Sequence, residues 1–454
     1  MDTIQIIAII LFAGMYVALL TLPKIRPYIT VTMAIIFLVI LVIYNASPEQ
    51  STLITIKETL SSSFSNTSTW NVLMMITGTM GVVSLFIDSK MPNLLADLII
   101  ERTPSVKWAI ISLALFAGII SAFVDNVATV LMVAPVALNV CKKLRISPVL
   151  SIIAISISSN LQGAATLVGD TTSILLAQYT DMNFVDFIWY QGRPGIFWIV
   201  EIGAIASTMI LLFIFRKHTE DIVNPERTKV TDLFPTYLLA GTILLLILAS
   251  FVPILSEITL GMINGIICLS LFIIGLIRKY ILSLKNKSLS IKENIKEIDY
   301  STLFLLLGLF IVIGALDTLG IIQLIGELFS GLGGNVFLIY SIIVWGSVLV
   351  SAFIDNIPYV MTMLPVVGVI ILNLNANGPV VNPNLLYFGL LIGATLGGNI
   401  TPIGASANIT GIGILRAEGY EVKTSTFMKL SIPFTLVAVT TGYILNYLIW
   451  GIVL

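Results

Sequence analysis

The chain has 454 residues, of which 57% are hydrophobic and only 10% are charged, and its formal net charge is −1. Soluble domains carry about 25% charged residues, so this composition predicts an all-α polytopic membrane protein. The near-zero net charge argues against the basic surface that nucleic-acid binding needs. One histidine, two cysteines without metal-ligand spacing and no P-loop argue against metalloenzymes and ATP-driven pumps. Neither an enzyme nor a resident cofactor is expected.

Eight apolar stretches are long enough to cross a bilayer as plain helices, which need about 20 residues each. They are 4–22, 28–45, 70–88, 195–215, 233–252, 258–277, 300–317 and 430–452. The first is interpreted as a retained helix, because it lacks the basic leader and small-residue cleavage site of a signal peptide. The longest polar segments are 46–69, 216–232 and 278–299, and the last of these is predicted to be an amphipathic linker.

Four further apolar stretches are interrupted by Gly, Pro, Asp or Asn and do not fit one plain helix each. Non-helical backbone at membrane depth is stable only inside the protein or beside a water-filled cavity. We therefore predict two re-entrant hairpins, at 107–141 and 335–373, and two broken helices, at 148–178 and 385–414.

An internal repeat relates the two halves of the chain. Residues 121–136 and 351–366 are identical at half of their positions, and the same offset of 230 superposes three pairs of apolar stretches. The motif G-x-x-T-x-x-G at 163–169 recurs at 398–404, at an offset of 235. The chain is therefore predicted to be a duplicated unit of about 220 residues.

The positions of the basic residues predict the topology, because cytoplasmic loops carry an excess of Lys and Arg. If both hairpins enter and leave by one face, all of the 23 Lys and Arg residues except Lys57 and Arg193 fall on one side. A single crossing at 107–141 would flip every later loop and remove this bias. We therefore predict an inverted repeat in the cell membrane, with both termini outside. The predicted units are 1–215 and 233–454, with a cytoplasmic linker at 216–232.

The carboxylates inside the two hairpins are candidate ion ligands. A carboxylate in the bilayer costs about 2.5–3.5 kcal/mol on insertion scales and is normally kept for a cation, a proton or a partner. Oxygens of an Asp-Asn pair beside free backbone carbonyls suit a small hard cation such as Na⁺. The alternative is that these residues cap the helices, and the two roles are compatible. The predicted Na⁺ ligands are Asp125, Asn126, Asp355 and Asn356.

The broken helices carry clustered Gly, Thr, Ser and Asn residues, which predict an unwound, ligand-binding backbone. Close helix packing explains the glycines but not the polar side chains. Asp170 occurs in the first half only and is a candidate proton carrier. The predicted ion- and substrate-binding residues are Asp125, Asn126, Thr129, Asn160, Thr166, Gly169, Asp170, Ser173, Asp355, Asn356, Asn399, Thr401, Gly404, Ser406 and Asn408.

The S-A-F-x-D-N motifs at 121–126 and 351–356, with L-G-G-N-I-T-P-I-G-A-S-A-N at 396–408, resemble the ion transporter superfamily. The resemblance is to its arsenite permease, P-protein and citrate-transporter-like branch, which is related to the divalent-anion/sodium symporters and the sodium/proton antiporters. It covers nearly the whole chain. It implies about 11 transmembrane helices with two re-entrant hairpins, a homodimer, and a transport domain that moves against a scaffold as an elevator.

The resulting hypothesis is a secondary active transporter that moves a small ion or an anionic or oxyanion solute, coupled to Na⁺ or H⁺. The site motifs contribute three aspartates and no basic residue. This favours Na⁺/H⁺ exchange, a neutral hydroxy-acid such as arsenous acid, or an anion carried with its cations. A Na⁺/H⁺ antiporter and an arsenite efflux permease remain alternatives, and an ion channel is an alternative from a different class. The expected partners are the lipid bilayer, a small solute and a second copy of the chain.

Overall fold

The computed structural model describes residues 2–45, 52–220, 227–285, 290–330, 334–377 and 380–452. Helices make up most of these ranges. Two short strands, β1 (Trp189–Tyr190) and β2 (Arg193–Pro194), pair antiparallel with Trp189 opposite Pro194. The prediction of an all-α polytopic membrane protein is confirmed.

The helices are numbered in chain order. The first ten are α1 (Thr3–Thr21), α2 (Arg26–Asn45), α3 (Thr52–Phe64), α4 (Thr67–Asp88), α5 (Met91–Glu101), α6 (Val106–Ser121), α7 (Asn126–Lys143), α8 (Val149–Gly163), α9 (Thr171–Thr180) and α10 (Ile196–Ile214). The next eleven are α11 (Phe234–Ser250), α12 (Pro253–Ile258), α13 (Ile263–Lys285), α14 (Ile291–Lys296), α15 (Tyr300–Thr318), α16 (Ile321–Ser330), α17 (Val336–Ser351), α18 (Asn356–Asn377), α19 (Pro383–Leu391), α20 (Ser406–Ala417) and α21 (Thr424–Asn446). Short 3₁₀ or π turns lie at Pro23–Ile25, Val185–Phe187, Ile392–Leu396, Gly398–Ile400 and Tyr447–Gly451.

Eight helical segments in the described ranges are long and apolar enough to cross a membrane. They are Thr3–Thr21, Pro23–Asn45, Thr67–Asp88, Ile196–Ile214, Ile263–Leu284, Ile291–Thr318, Asn356–Ala376 and Thr424–Gly451. Large apolar side chains such as Ile10, Ile35 and Phe213 are exposed on their outer surfaces, whereas many Ser, Thr and Asn side chains are buried. This distribution is the reverse of a soluble protein and fits a surface that contacts lipid.

One predicted span is displaced along the chain. The expected helix at 258–277 begins only at Ile263, because Gly261 adopts a left-handed backbone conformation that ends the preceding turn. The helix then continues to Lys285. The first part of the predicted linker at 278–299 is therefore helical, and only its second part connects α13 to α15.

The second part of this linker folds back against α4. Asn294 of α14 is fully buried and donates to Ser84 Oγ at 2.6 Å and to Asp88 Oδ2 at 2.8 Å. Lys279 Nζ donates to the same Asp88 oxygen at 2.7 Å. These contacts give Lys279, near the end of α13, an acidic partner.

Helices also form outside the predicted spans, where no apolar run is long enough to cross a bilayer. They are α3, within the segment 46–69, α5, which follows α4, α12, which follows α11, and α16, which follows α15. Residues 46–51 of that segment, 221–226 of the predicted linker 216–232, and 286–289 lie outside the described residues.

Each of the four interrupted stretches consists of two α-helices separated by a joint that is not α-helical. The joints are 122–125 between α6 and α7, 164–170 between α8 and α9, 352–355 between α17 and α18, and 397–405 between α19 and α20. We call the joints at 122–125 and 352–355 the first and second tips. The structure thus places breaks inside all four stretches that the sequence singled out.

Two glycines allow the broken helices to approach the tips closely. A Cβ added to Gly169 would lie 2.5 Å from the carbonyl oxygen of Ser121, and a Cβ added to Gly404 would lie 2.8 Å from that of Ser351. Only glycine fits at either place, since backbone atoms cannot move aside. The same contact recurs in both halves. The unit boundaries and the inverted orientation of the units stay predictions.

Candidate functional site

The aspartate at each tip caps the helix that follows it. Asp125 Oδ1 accepts hydrogen bonds from the backbone N–H of Val127 at 3.0 Å and of Ala128 at 3.2 Å. Asp355 Oδ1 accepts one from the N–H of Ile357 at 3.2 Å. Capping therefore occurs at both tips, and it leaves Oδ2 of each carboxylate for another partner.

At the second tip, that partner is Arg26. Its Nη1 lies 2.9 Å from Asp355 Oδ2, and its Nε donates to the carbonyl oxygen of Leu19 at 3.0 Å. From the sequence, Arg26 is expected in a loop, and its ion pair with Asp355 was not predicted. The motifs themselves contribute no basic residue, and Arg26, which lies outside them, adds one at the second tip. The signal that could have indicated this ion pair is the arginine at the first residue of an apolar helix, α2.

Asparagines from both halves form one buried hydrogen-bond network. Asn126 Nδ2 donates to Asn160 Oδ1 at 3.1 Å, and Asn160 Nδ2 donates to Asn399 Oδ1 at 3.1 Å and to the carbonyl oxygen of Thr395 at 2.8 Å. Asn399 Nδ2 donates to the carbonyl oxygen of Ile157 at 2.9 Å. The network joins the first tip to the joints of both broken helices.

Asp170 lies next to this network and is almost fully buried. Its Oδ2 accepts from Thr172 Oγ1 at 2.7 Å and from Asn356 Nδ2 at 3.4 Å. The Thr172 hydroxyl is also 2.9 Å from that of Thr395. Asp170 therefore joins the first broken helix to the second tip. Thr172 and Thr395 take part in these hydrogen bonds but were not predicted as site residues.

Two predicted threonines bind the tips rather than face a cavity. Thr166 Oγ1 donates to the carbonyl oxygen of Ala122, and Thr401 Oγ1 donates to that of Ala352. Both side chains satisfy carbonyls that the tips leave without helical partners. Together with the two tight glycines, they fix the shape of the site.

The other predicted residues are distributed around the joints. Ser173 Oγ donates to the carbonyl oxygen of Ala164 at 3.4 Å, and Asn408 Nδ2 donates to two carbonyl oxygens of its own joint at 3.3 Å each. Thr129 Oγ1 is buried and has no hydrogen-bond partner among the described residues. Ser406 lines the cavity described next.

A cavity of about 380 Å³ opens beside the first tip. This volume is in the range that holds a small solute. Among the described residues, no Lys or Arg lines it. Its polar lining consists of Ser84, Asp125, Asn126, Asp170, Thr171, Glu297, Asp299, Thr302, Asn356 and Ser406. The cavity is therefore strongly acidic.

Glu297 and Asp299 were not predicted to belong to the site. Asp299 caps α15 by accepting from the N–H of Thr302 at 3.1 Å. The sequence showed two acidic residues in a polar linker, which is normally solvated. Nothing in it indicated that Asn294 would hold that linker against α4 and so bring both carboxylates to the cavity.

No three His, Cys, Asp or Glu side chains converge as ligands of one metal ion anywhere in the described chain. A cation at the first tip would therefore need amide, hydroxyl or carbonyl oxygens beside the carboxylate. Na⁺ and H⁺ are compatible with such a mixed set.

A second cavity, of about 820 Å³, shares no lining residue with the first. It is lined by Ser68 and Asp317, whereas the first is lined by Ile87 and Thr302. These residues lie at opposite ends of α4 and α15. The two cavities therefore open towards opposite ends of the same helices.

Comparison with known proteins adds independent information. Residues 16–393 match the sequence pattern of the family described as "Citrate transporter". An uncharacterized transporter of Mycobacterium tuberculosis (strain CDC 1551 / Oshkosh) is 28% identical over 391 residues, which cover 84% of this chain and 87% of the relative. The human P protein is 26% identical over 456 residues, which cover 82% of this chain and 52% of that protein.

Among solved structures, the Alcanivorax borkumensis YdaH transporter superposes with a TM-score of 0.59. The alignment covers 93% of this chain and 98% of that one, at 14% sequence identity. At this identity the likeness concerns the fold alone. The predicted resemblance to the arsenite permease, P-protein and citrate-transporter branch is confirmed by the family match and by the P protein.

Proposed function

Because the chain belongs to the citrate transporter family, we propose that it is a secondary active transporter coupled to Na⁺ or H⁺. We place the coupling and solute site in the acidic cavity beside the first tip. The ligands proposed there are Asp125, Asn126, Asp170 and Asn356.

The observation that carries this proposal is the electrostatic character of the cavity. Asp125 Oδ2 has no hydrogen-bond partner among the described residues, and Asp170 receives only neutral donors there. Four carboxylates line a space of about 380 Å³ without a basic side chain in the described lining. Such a site favours cations or protons, since like charges in a low-dielectric setting repel strongly.

The same argument constrains the solute. A free tricarboxylate such as citrate would be repelled by the lining, so an anion would enter only with its cations or after protonation. We propose that the solute is a small anion of this kind, carried together with cations. Na⁺/H⁺ exchange is the second candidate, because the lining offers no basic group to an anion.

A carrier is favoured over a channel by the arrangement of the cavities. The two cavities open at opposite ends of α4 and α15 and share no lining residue in the described chain, so they do not form one continuous pore there, as an open channel would. We propose that the tips and broken helices move as an elevator against a scaffold, in a homodimer in the cell membrane with both termini outside.

The test is uptake of labelled citrate by proteoliposomes under an imposed Na⁺ or H⁺ gradient, with and without a divalent cation. Accumulation that one gradient drives and its collapse abolishes supports the proposal. If citrate flux ignores both gradients, coupled citrate transport is refuted. A Na⁺-driven pH change inside the same vesicles would then establish the second candidate.

A further inference from the structure

The two tips are equivalent in sequence but differ in their electrostatic partners. At the first tip, Asp125 Oδ2 has no partner among the described residues and the carboxylate lines the acidic cavity. At the second tip, Asp355 Oδ2 is paired with Arg26 at 2.9 Å. A positive charge therefore already occupies the second tip.

Arg26 is held in place by its own helix pair. Its Nε donates at 3.0 Å to the carbonyl of Leu19, one of the last carbonyls of α1 that have no helical partner. Tyr16 of α1 also contacts the second tip region, since its hydroxyl donates to the carbonyl oxygen of Pro358 at 2.8 Å. The α1–α2 pair thus positions the guanidinium against Asp355 through two contacts, one from Arg26 to α1 and one from Tyr16 to α18.

The pair is largely withdrawn from water. The side chains of Arg26 and Asp355 are 15% and 13% exposed. Removal of one partner from such a pair leaves the other charge uncompensated, which is strongly unfavourable unless a new counter-ion enters. Arg26 is the only basic side chain within ion-pair distance of Asp355 in the described chain.

We propose that the guanidinium of Arg26 serves as a built-in counter-cation for Asp355, whereas Asp125 is neutralised by the coupling cation. Under this assignment only the first tip binds a coupling cation. Neutralising Arg26 opens a second cation site at Asp355, formed by its carboxylate and the adjacent backbone. The inference rests on the proposed cation-coupled transport, and it names Arg26 as the residue that sets the cation stoichiometry.

The stoichiometry has a measurable consequence. Each additional coupled cation multiplies the solute accumulation ratio by the cation gradient, so a tenfold gradient adds about one further factor of ten, or about 1.4 kcal/mol. The Arg26→Gln variant is expected to move one more cation per solute than the wild type. The Arg26→Gln/Asp355→Asn double variant removes both charges and is expected to return to the wild-type ratio.

The experiment measures labelled Na⁺ and labelled citrate flux, together with proton uptake, in the same proteoliposomes for the wild type and both variants. In parallel, the number of Na⁺ ions bound and protons taken up per purified protein is counted in detergent. One extra cation in Arg26→Gln, absent from the double variant, supports the proposal. An unchanged cation count in Arg26→Gln overturns it, and so does an extra cation that persists in the double variant.

A charge-exchanged variant covers the case in which Arg26→Gln does not fold. Arg26→Asp/Asp355→Arg keeps one charge of each sign at the second tip and is expected to keep the wild-type cation count; a changed count would overturn the proposal. If the wild type shows no cation-coupled flux, the proposed function fails. The cation count in detergent then still decides the role of Arg26, because it does not depend on transport.

Discussion

Asn160→Ala is expected to destabilise the protein by about 3 kcal/mol. The side chain is fully buried and makes three hydrogen bonds, to Asn126, Asn399 and the carbonyl of Thr395. A buried polar group that loses its partner costs about 1–3 kcal/mol. Asn126 lines the cavity, so water can replace its lost acceptor. Two acceptors, on Asn399 and Thr395, remain unsatisfied, and together they give the estimate.

The free energy of unfolding is measured by equilibrium titration in mixed detergent–SDS micelles with tryptophan fluorescence. Asn139→Ala is the matched control, because Asn139 is exposed on α7 and its replacement is expected to change stability by less than about 0.5 kcal/mol. The Asn160→Ala/Asn399→Ala double variant also lacks the Asn399 Oδ1 acceptor that the single variant leaves unsatisfied. Its loss in the free energy of unfolding should therefore be about 1–2 kcal/mol smaller than the sum of the two single losses. A loss for Asn160→Ala no larger than that of the control, or strict additivity, would refute the network as the link between the halves.

Two further predictions concern the joints and the linker. Gly169→Ala and Gly404→Ala should each lower the free energy of unfolding by about 1–3 kcal/mol or more and reduce transport, because the added Cβ meets backbone oxygens. Gly346→Ala is the control and should be tolerated, since Gly346 has open space around it. Equal melting temperatures for all three variants would contradict this prediction. Asn294→Ala should raise the hydrogen-exchange rate of the α14 backbone amides at least tenfold, because the loss of about 1.4 kcal/mol of hydrogen bonding is enough for that change. Lys292→Ala is the control, because Lys292 is exposed on the same helix. Exchange equal to the control would show that α14 is held by other contacts.

The sequence predicted the fold class and the four interrupted stretches well, because their signals are local. Glycine, proline, aspartate and asparagine inside an apolar stretch indicate a break wherever it occurs. The repeat reinforced this, since Asp125 and Asp355 occupy the same position in two similar segments. Span ends were less accurate, as the displaced start of α13 shows, because an apolar run does not reveal where a left-handed turn ends the preceding segment.

The site was predicted only in part, because its missing members come from distant segments. The pairing of Arg26 with Asp355 joins residues 329 positions apart, and no local pattern indicates it. Thr395 was overlooked because it lies one residue before the motif at 396–408, between Ala394 and Leu396. Glu297 and Asp299 reach the cavity because the linker folds back against α4, where Asn294 donates to Ser84. The identity of the solute depends on such long-range placement, which a single sequence does not contain.

The most direct test of the account is gradient-driven accumulation of labelled citrate by proteoliposomes carrying Asp125→Asn. Asparagine can still accept the capping hydrogen bonds at the first tip, so the variant removes the charge and keeps the helix. Asp2→Asn is the matched control, because Asp2 is an exposed aspartate that also caps a helix, α1. The account predicts that cation-driven citrate accumulation falls at least tenfold in Asp125→Asn and is unchanged in the control. Equal accumulation by both variants would contradict the assignment of the coupling cation to the first tip.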